Sequence, residues 1–267
     1  MPSFRCELNG RPASADDLRH PLLTNFGHFT SMQVRDGSVQ GLDLHLERLA
    51  QATLDLFDHP LDLARTREWM RKALAGVPVP ATLRVNVFAR ALDRTRLDRA
   101  VKPDVLVTTS PASSAMTRPV RVRSAAYQRD APHIKHVGTF GLFMQKRLAQ
   151  AAGYDDALFV DPTGAIAEGS IWNIGFVERD GFVWPDAPAL AGISMQLLKA
   201  GLAANGVPSV TRRIELAEVG GFRGAFFTNS VQPVLPLVAI DAARFEPDTT
   251  WSAALGAAML RHPWQRI

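Results

Sequence analysis

The chain is short of several things, and each shortage excludes something. One cysteine, Cys6, stands in 267 residues, so an internal disulfide is excluded and no cysteine cluster can hold a metal. No apolar run approaches the roughly 20 residues of a membrane span, and the mean hydropathy is −0.02. The opening stretch MPSFRCELNGRPAS has no apolar signal-peptide core, so a cytoplasmic protein is expected. Only two tyrosines are present. Lysine is also scarce, with five among the 30 basic residues.

What is there suits a globular protein. Hydrophobic residues make up 46% of the sequence, enough for one large core or two modest ones. The net charge of +4 and the pI near 9.6 raise the question of nucleic acid. The arginines, however, are spread along the whole chain and do not interleave with aromatics as a stacking platform would. Neither nucleic acid nor membrane is expected as a partner.

Hydrophobic periodicity sketches the elements. Phe4–Leu8 reads as a short strand closed by Asn9-Gly10. Phe29–Arg35 and Ser38–Leu42 flank Asp36-Gly37, a hairpin signal. Leu44–Phe57 and Leu63–Ala75 have helical spacing. Leu83–Ala89, Asp104–Ser110 and Val120–Tyr127 read as strands. The stretch SPASSAMTRP between the last two is the best linker by composition. The pattern then restarts with a helix at Gly141–Ala152. Strands follow at Ala157–Val160, Ile174–Glu178 and Phe182–Trp184, then a helix at Ser194–Asn205. Strands at Ala225–Thr228 and Val234–Ile240 and a helix at Thr249–Arg261 complete the reading. The predicted class is α/β, or α+β by some schemes, in two domains: residues 1–111, a linker region at 112–130, and 131–267.

Lys135 is the most informative of the five lysines. Lys72, Lys146 and Lys199 sit on polar faces of helical patterns, and Lys102 precedes a proline. Lys135 lies in HIKHVGTFGLFM, among Ile134, Val137 and Phe140. An amine in apolar surroundings loses solvation of its charged form and becomes a usable nucleophile or base. Taken alone, a lysine at a strand end with its ammonium in water is the commoner arrangement. Further features share its theme. Glu168, in AIAEGSIWNIGF, is an acid in an apolar run and needs a partner if buried. In LAGIS, Gly192 allows close approach to a helix start at Ile193 and Ser194, whose N–H groups suit a phosphate; an ordinary N-cap reads the same way. Thr228-Asn229-Ser230 places hydroxyls at a strand end. Arg48, in LHLERL, is the kind of donor that pairs with phosphate. Together these are the parts of a pyridoxal 5′-phosphate (PLP) site.

The segments GHFTSMQVRDG, LHLERL, HIK, GYDDALFVDPTGAIAEGSIWNIGF, WPDAPALAGIS, FFTNS and PVLPLVAID occur in that order between about residues 25 and 241. In this the chain resembles the class IV aminotransferases, which have PLP fold type IV. That group contains branched-chain and D-amino acid aminotransferases and aminodeoxychorismate lyase. The resemblance implies a small N-terminal domain and a larger C-terminal one, with the cofactor in the cleft, and a homodimer. It makes Lys135 the Schiff-base lysine and proton shuttle, and Glu168 the partner of the pyridinium nitrogen. Asn173 braces the glutamate strand. Arg48, Gly192, Ile193, Ser194 and Ser230 hold the phosphate. Phe29, Phe140 and Trp172 fall in segments that flank the cofactor. Arg90 and Arg94 fall where family members place carboxylate-binding groups.

The chain also departs from the family pattern. Positions where members carry a tyrosine near the cofactor O3′ are Phe140 and Phe29, which donate no hydrogen bond. The arginine usual after the helix start is Met195. The expected reaction is amino transfer between a small or apolar amino acid or amine and a 2-oxo acid. Elimination of the aminodeoxychorismate-lyase type is the alternative, favoured by NSVQPVLP at residues 229–236. A non-catalytic PLP-binding homologue is a third reading, and the intact Lys135 and Glu168 count against it.

Overall fold

The protein was analysed as a computed structural model in which residues 5–246 and 248–267 are described. It divides into two compact units. The first is made of residues up to Ser114, joined by Ile134–Gly138 and Trp264–Ile267. The second is Ala115–His133 and Thr139–Pro263. The units are therefore not the contiguous blocks expected from sequence: the lysine segment and the last four residues belong to the first.

The first unit holds β1 (Arg5–Leu8), β2 (Arg11–Pro12), α1 (Ala15–Thr24), β3 (His28–Val34), β4 (Ser38–Gln40), α2 (Leu42–Phe57), α3 (Leu63–Leu74), β5 (Ala81–Phe88) and β6 (Asp104–Pro111). Five strands form an antiparallel sheet in the order β2-β1-β6-β5-β3. Alternation drives it. Met32 and Val34, Leu83, Val85 and Val87, and Val105 and Val107 are buried in one core with Leu46, Leu49 and Phe57 of α2 and Met70 of α3. The Asp36-Gly37 turn has both residues at positive φ, 46° and 70°, as a two-residue primed turn requires. The expected hairpin goes no further. Only Arg35 and Ser38 pair across the turn.

The second unit runs through β7 (Val120–Ala126), α4 (Phe140–Ala151), β8 (Asp156–Val160), β9 (Ile166–Gly169), β10 (Asn173–Val177), β11 (Phe182–Pro185), α5 (Ile193–Ala204), β12 (Ser209–Arg212), β13 (Gly224–Thr228), β14 (Leu235–Ile240), β15 (Ala243–Arg244) and α6 (Thr249–Leu260). Its sheet is mixed, in the order β12-β11-β10-β13-β14-β7-β8-β9. A further β10–β9 pairing closes β10, β13, β14, β7, β8 and β9 into a ring. Closure removes those strand edges. Ile174, Phe176, Phe227, Leu158 and Val122 are buried in its core.

The chain ends in β16 (Trp264–Arg266), which pairs with β4 in the first unit. There Gln265 Oε1 accepts the Leu42 N–H at 2.6 Å. This caps α2, whose own N-cap, Gly41, has no side chain to offer. Sequence periodicity missed α1, β2, β9, β12, β15 and β16. The strands are too short to show a period. In α1, the Ser14–Asp17 capping box sits ahead of an internal Pro21.

Candidate active site

The candidate residues fall into two sets, one in each unit.

In the first unit Lys135 lies on a short extended segment laid along β3. The Phe29 N–H donates to the Lys135 carbonyl at 2.9 Å, the Val137 N–H to the Gly27 carbonyl at 2.9 Å, and His28 bridges His136. Lys135 Nζ stands 5.0 Å from the centre of the Phe29 ring. The Arg84 guanidinium carbon is 3.6 Å from the centre of the same ring. Arg84 Nε donates to Asn86 Oδ1 at 2.8 Å, and burial lowers its pKa. Next along β3, Thr30 Oγ1 accepts from Arg48 at 2.7 Å. Lys135 and Arg84 thus flank the Phe29 ring, while Arg48 meets Thr30, the next residue, whose side chain the alternation of a strand turns to the other face.

Histidines beside Arg48 stay neutral. His45 is buried and its pKa lies well below the ordinary value. Burial is the main cause, reinforced by the charges of Arg48 and Lys135. His28 is pushed down to about 3 by burial and by Arg48.

In the second unit Glu168, Asn173 and Thr228 face one another across three neighbouring strands. Directly paired residues point to the same face, so these polar groups form one row. Glu168 is buried, with Arg129 at 3.7 Å, and accepts the Leu190 N–H at 3.2 Å. Asn173 Nδ2 donates to the Leu190 carbonyl at 2.7 Å. One loop is therefore held by both the acid and the amide. Two residues on, Gly192 begins α5 without a side-chain cap, and Ser194 in its first turn is buried. Asn229 Oδ1 accepts from the N–H groups of Val231 and Gln232, both at 2.9 Å, which fixes the turn carrying Ser230.

These residues fit PLP. Thr228 Oγ1 and Ser170 Oγ are buried with no hydrogen-bond partner within the protein, which is uncommon for buried hydroxyls unless a ligand or water completes them. The uncapped start of α5 presents N–H groups that a phosphate satisfies. Glu168 brings a buried carboxylate to the same row, with Arg129 beside it.

Other expected residues are placed differently. Arg90 donates to Asp17 at 2.6 Å and to Asp104 at 3.0 Å, so its guanidinium already serves two carboxylates. Arg94 lies exposed in a turn. Arg84, which the sequence did not single out, is the arginine at the Phe29 ring, as Lys135 is the lysine. Phe140 opens α4 at 76% exposure. Trp172 is buried, stacked on Phe227, and its indole N–H donates to Asp156 at 3.2 Å.

The family model described as amino-transferase class IV matches residues 27–240. A branched-chain-amino-acid aminotransferase from Pseudomonas aeruginosa is 30% identical over 138 residues, 49% of this chain and 45% of that protein. The aminodeoxychorismate lyase of Bacillus subtilis is 25% identical over 261 residues, 89% of this chain and 87% of that protein. Among solved structures, the branched-chain aminotransferase of Thermoproteus uzoniensis superimposes with a TM-score of 0.86 at 19% identity, covering 96% of this chain and 94% of that one.

Proposed function

The chain belongs to the class IV aminotransferase family, and from that premise we propose that it moves an amino group between a small or apolar amino acid or amine and a 2-oxo acid, using PLP. The observation that carries the reading is the pairing of Lys135 and Arg84 about the Phe29 ring, with Arg48 held at the adjoining Thr30. An amine and a donor for anions share that ring.

When bound, PLP supplies an aldehyde for an amine to join and a ring that accepts electrons from a substrate carbon. Lys135 Nζ would be the amine that holds the cofactor and the group that carries the substrate α-proton. Glu168 would accept a hydrogen bond from the protonated ring nitrogen, and Arg129 and the Leu190 N–H orient that carboxylate. Arg48, the Ile193 and Ser194 amides and the Ser230 hydroxyl would hold the phosphate. Arg84 binds the substrate carboxylate, the role that Arg90 and Arg94 were expected to fill. Phe29 excludes water beside the amine. The active form is proposed to be a homodimer, since Phe140, Phe143, Met144 and Leu148 leave an exposed apolar stripe along α4. Its mass in solution by light scattering tests that.

A second reading is elimination of the aminodeoxychorismate-lyase type. It is supported by the Bacillus subtilis lyase, which matches over 89% of the chain. Both reactions use the same lysine and acid and part only after the α-proton has left. The test has two arms. Enzyme is incubated with an amino donor and a 2-oxo acid, and separately with aminodeoxychorismate. Amino exchange in the first arm is expected. Pyruvate and an aromatic amine in the second, with no exchange in the first, overturn the proposal.

A further inference from the structure

A buried hydroxyl, a buried ring and a half-buried guanidinium meet in the first unit. Thr30, at 0% exposure, points from β3 towards α2, where His45 and Arg48 are three residues apart and share a face. Arg48 donates to Thr30 Oγ1 at 2.7 Å, and His45 Nδ1 lies 2.6 Å from the same oxygen.

The protons can be counted. A guanidinium only donates, so Arg48 occupies a lone pair of Thr30 Oγ1. The hydroxyl has a single proton, and within this trio only His45 Nδ1 can take it. That requires a neutral ring with its own proton on Nε2. A charged His45 would add a second cation against Arg48 and leave the hydroxyl proton without this acceptor. Burial, Arg48 and Lys135 all keep the ring neutral.

We propose that Thr30 and His45 are positioning residues for Arg48: the neutral ring fixes the hydroxyl rotor, and the hydroxyl oxygen holds the guanidinium in the orientation that meets the cofactor phosphate. The proposal rests on the reading of Arg48 as a phosphate donor. A long side chain held in its bound rotamer loses less freedom on binding. Neither residue touches the cofactor in this scheme, so their effect passes through Arg48 alone and concerns the phosphate alone.

The test compares two ligands that differ only in that group. The protein is stripped of cofactor, and dissociation constants for PLP and for pyridoxal, which lacks the phosphate, are measured by tryptophan fluorescence. Thr30→Val is expected to weaken PLP about tenfold, in the range of one lost hydrogen bond to a charged group, while pyridoxal binding holds. Thr30→Ser restores PLP binding. His45→Leu behaves like Thr30→Val, and His45→Asn, whose Oδ1 stands in for Nδ1, recovers part of the loss. Should Thr30→Val fail to fold, the His45 pair gives the same comparison.

Equal weakening of both ligands would mean that the trio merely supports the fold, and would overturn the proposal. So would wild-type PLP affinity in Thr30→Val alongside a weakened Arg48→Ala. If Arg48→Ala itself leaves the preference for PLP over pyridoxal unchanged, the phosphate reading of Arg48 fails first, and this one with it.

Discussion

Asn173 Oδ1 lies 1.9 Å from where a Cβ on Gly192 would stand. The backbone at Gly192 is ordinary extended chain, φ −65° and ψ 140°. What requires glycine there is the close approach of the asparagine. Through that contact Asn173 reaches the Leu190 carbonyl, and Leu190 in turn reaches Glu168.

Gly192→Ala therefore has to displace Asn173 and loosen the loop on Glu168. A loss of about 1–3 kcal/mol in stability is expected, as for other overpacked sites, with faster release of PLP on dialysis. Thermal melting and cofactor absorbance check both. A variant that melts and retains cofactor like wild type would show that the asparagine has room to move.

Lys135 is expected to carry the cofactor. Borohydride reduction followed by peptide mapping places the pyridoxyl group on Lys135, and Lys135→Ala takes no label. Its turnover falls by about 10²–10⁴-fold, the range for losing a positioned proton carrier. A label on Lys146, whose ammonium bonds Asp156 at 2.8 Å, or on Lys199 contradicts the assignment.

Glu168→Gln keeps the shape of the side chain and removes its charge. Cofactor binding is expected to survive while kcat falls about 10²–10³-fold, the usual scale for one electrostatic group in a site. Near-normal kcat would mean that the carboxylate serves only its buried pair with Arg129.

Arg84→Gln separates substrates by their carboxylate. KM for amino acids is expected to rise about 10- to 100-fold, for the loss of a charge-assisted bond. KM for an amine without a carboxylate is expected to stay the same. Equal effects on both classes would reduce Arg84 to packing against Phe29.

Acid sensitivity follows from His28. Its ordinary value of 6.5 drops to about 3 in the folded protein. Below pH 6.5 the unfolded chain binds a proton that the native state refuses, so stability is lost as pH falls from 6.5 towards 3. The loss is about 1.4 kcal/mol per pH unit, or about 2 kcal/mol by pH 5. His45 acts in the same direction. His28→Gln retains a donor for Thr53, which His28 Nε2 meets at 3.0 Å, and titrates no longer. Urea unfolding at pH 5 and pH 7 should show a slope smaller by about one proton in that variant, and an unchanged slope would mean that His28 is protonated in the native state.

Elements with a long period, and those with turn chemistry, are legible in the amino-acid order. Apolar spacing gave α2, α3 and α5 to within two residues at each end, because an amphipathic face repeats along several turns. Asp36-Gly37 gave its turn because few other pairs accept two positive φ values. Lys135, Glu168, Arg48 and the α5 start stand out there as candidates, since each combines a polar group with an apolar run and the segments keep the family order. Tertiary structure alone decided the pairings. β4 leaves its hairpin for β16, more than 220 residues away, and β9 closes the ring on β10, because strands of three or four residues take their partners from the sheet edges that the fold offers. It decided the arginines as well. Arg84 and Arg90 lie six residues apart on one stretch of chain, yet Arg90 meets Asp17 and Asp104 while Arg84 meets Phe29. Which arginine meets carboxylates and which meets a ring depends on residues distant in sequence, and a local pattern carries no record of them.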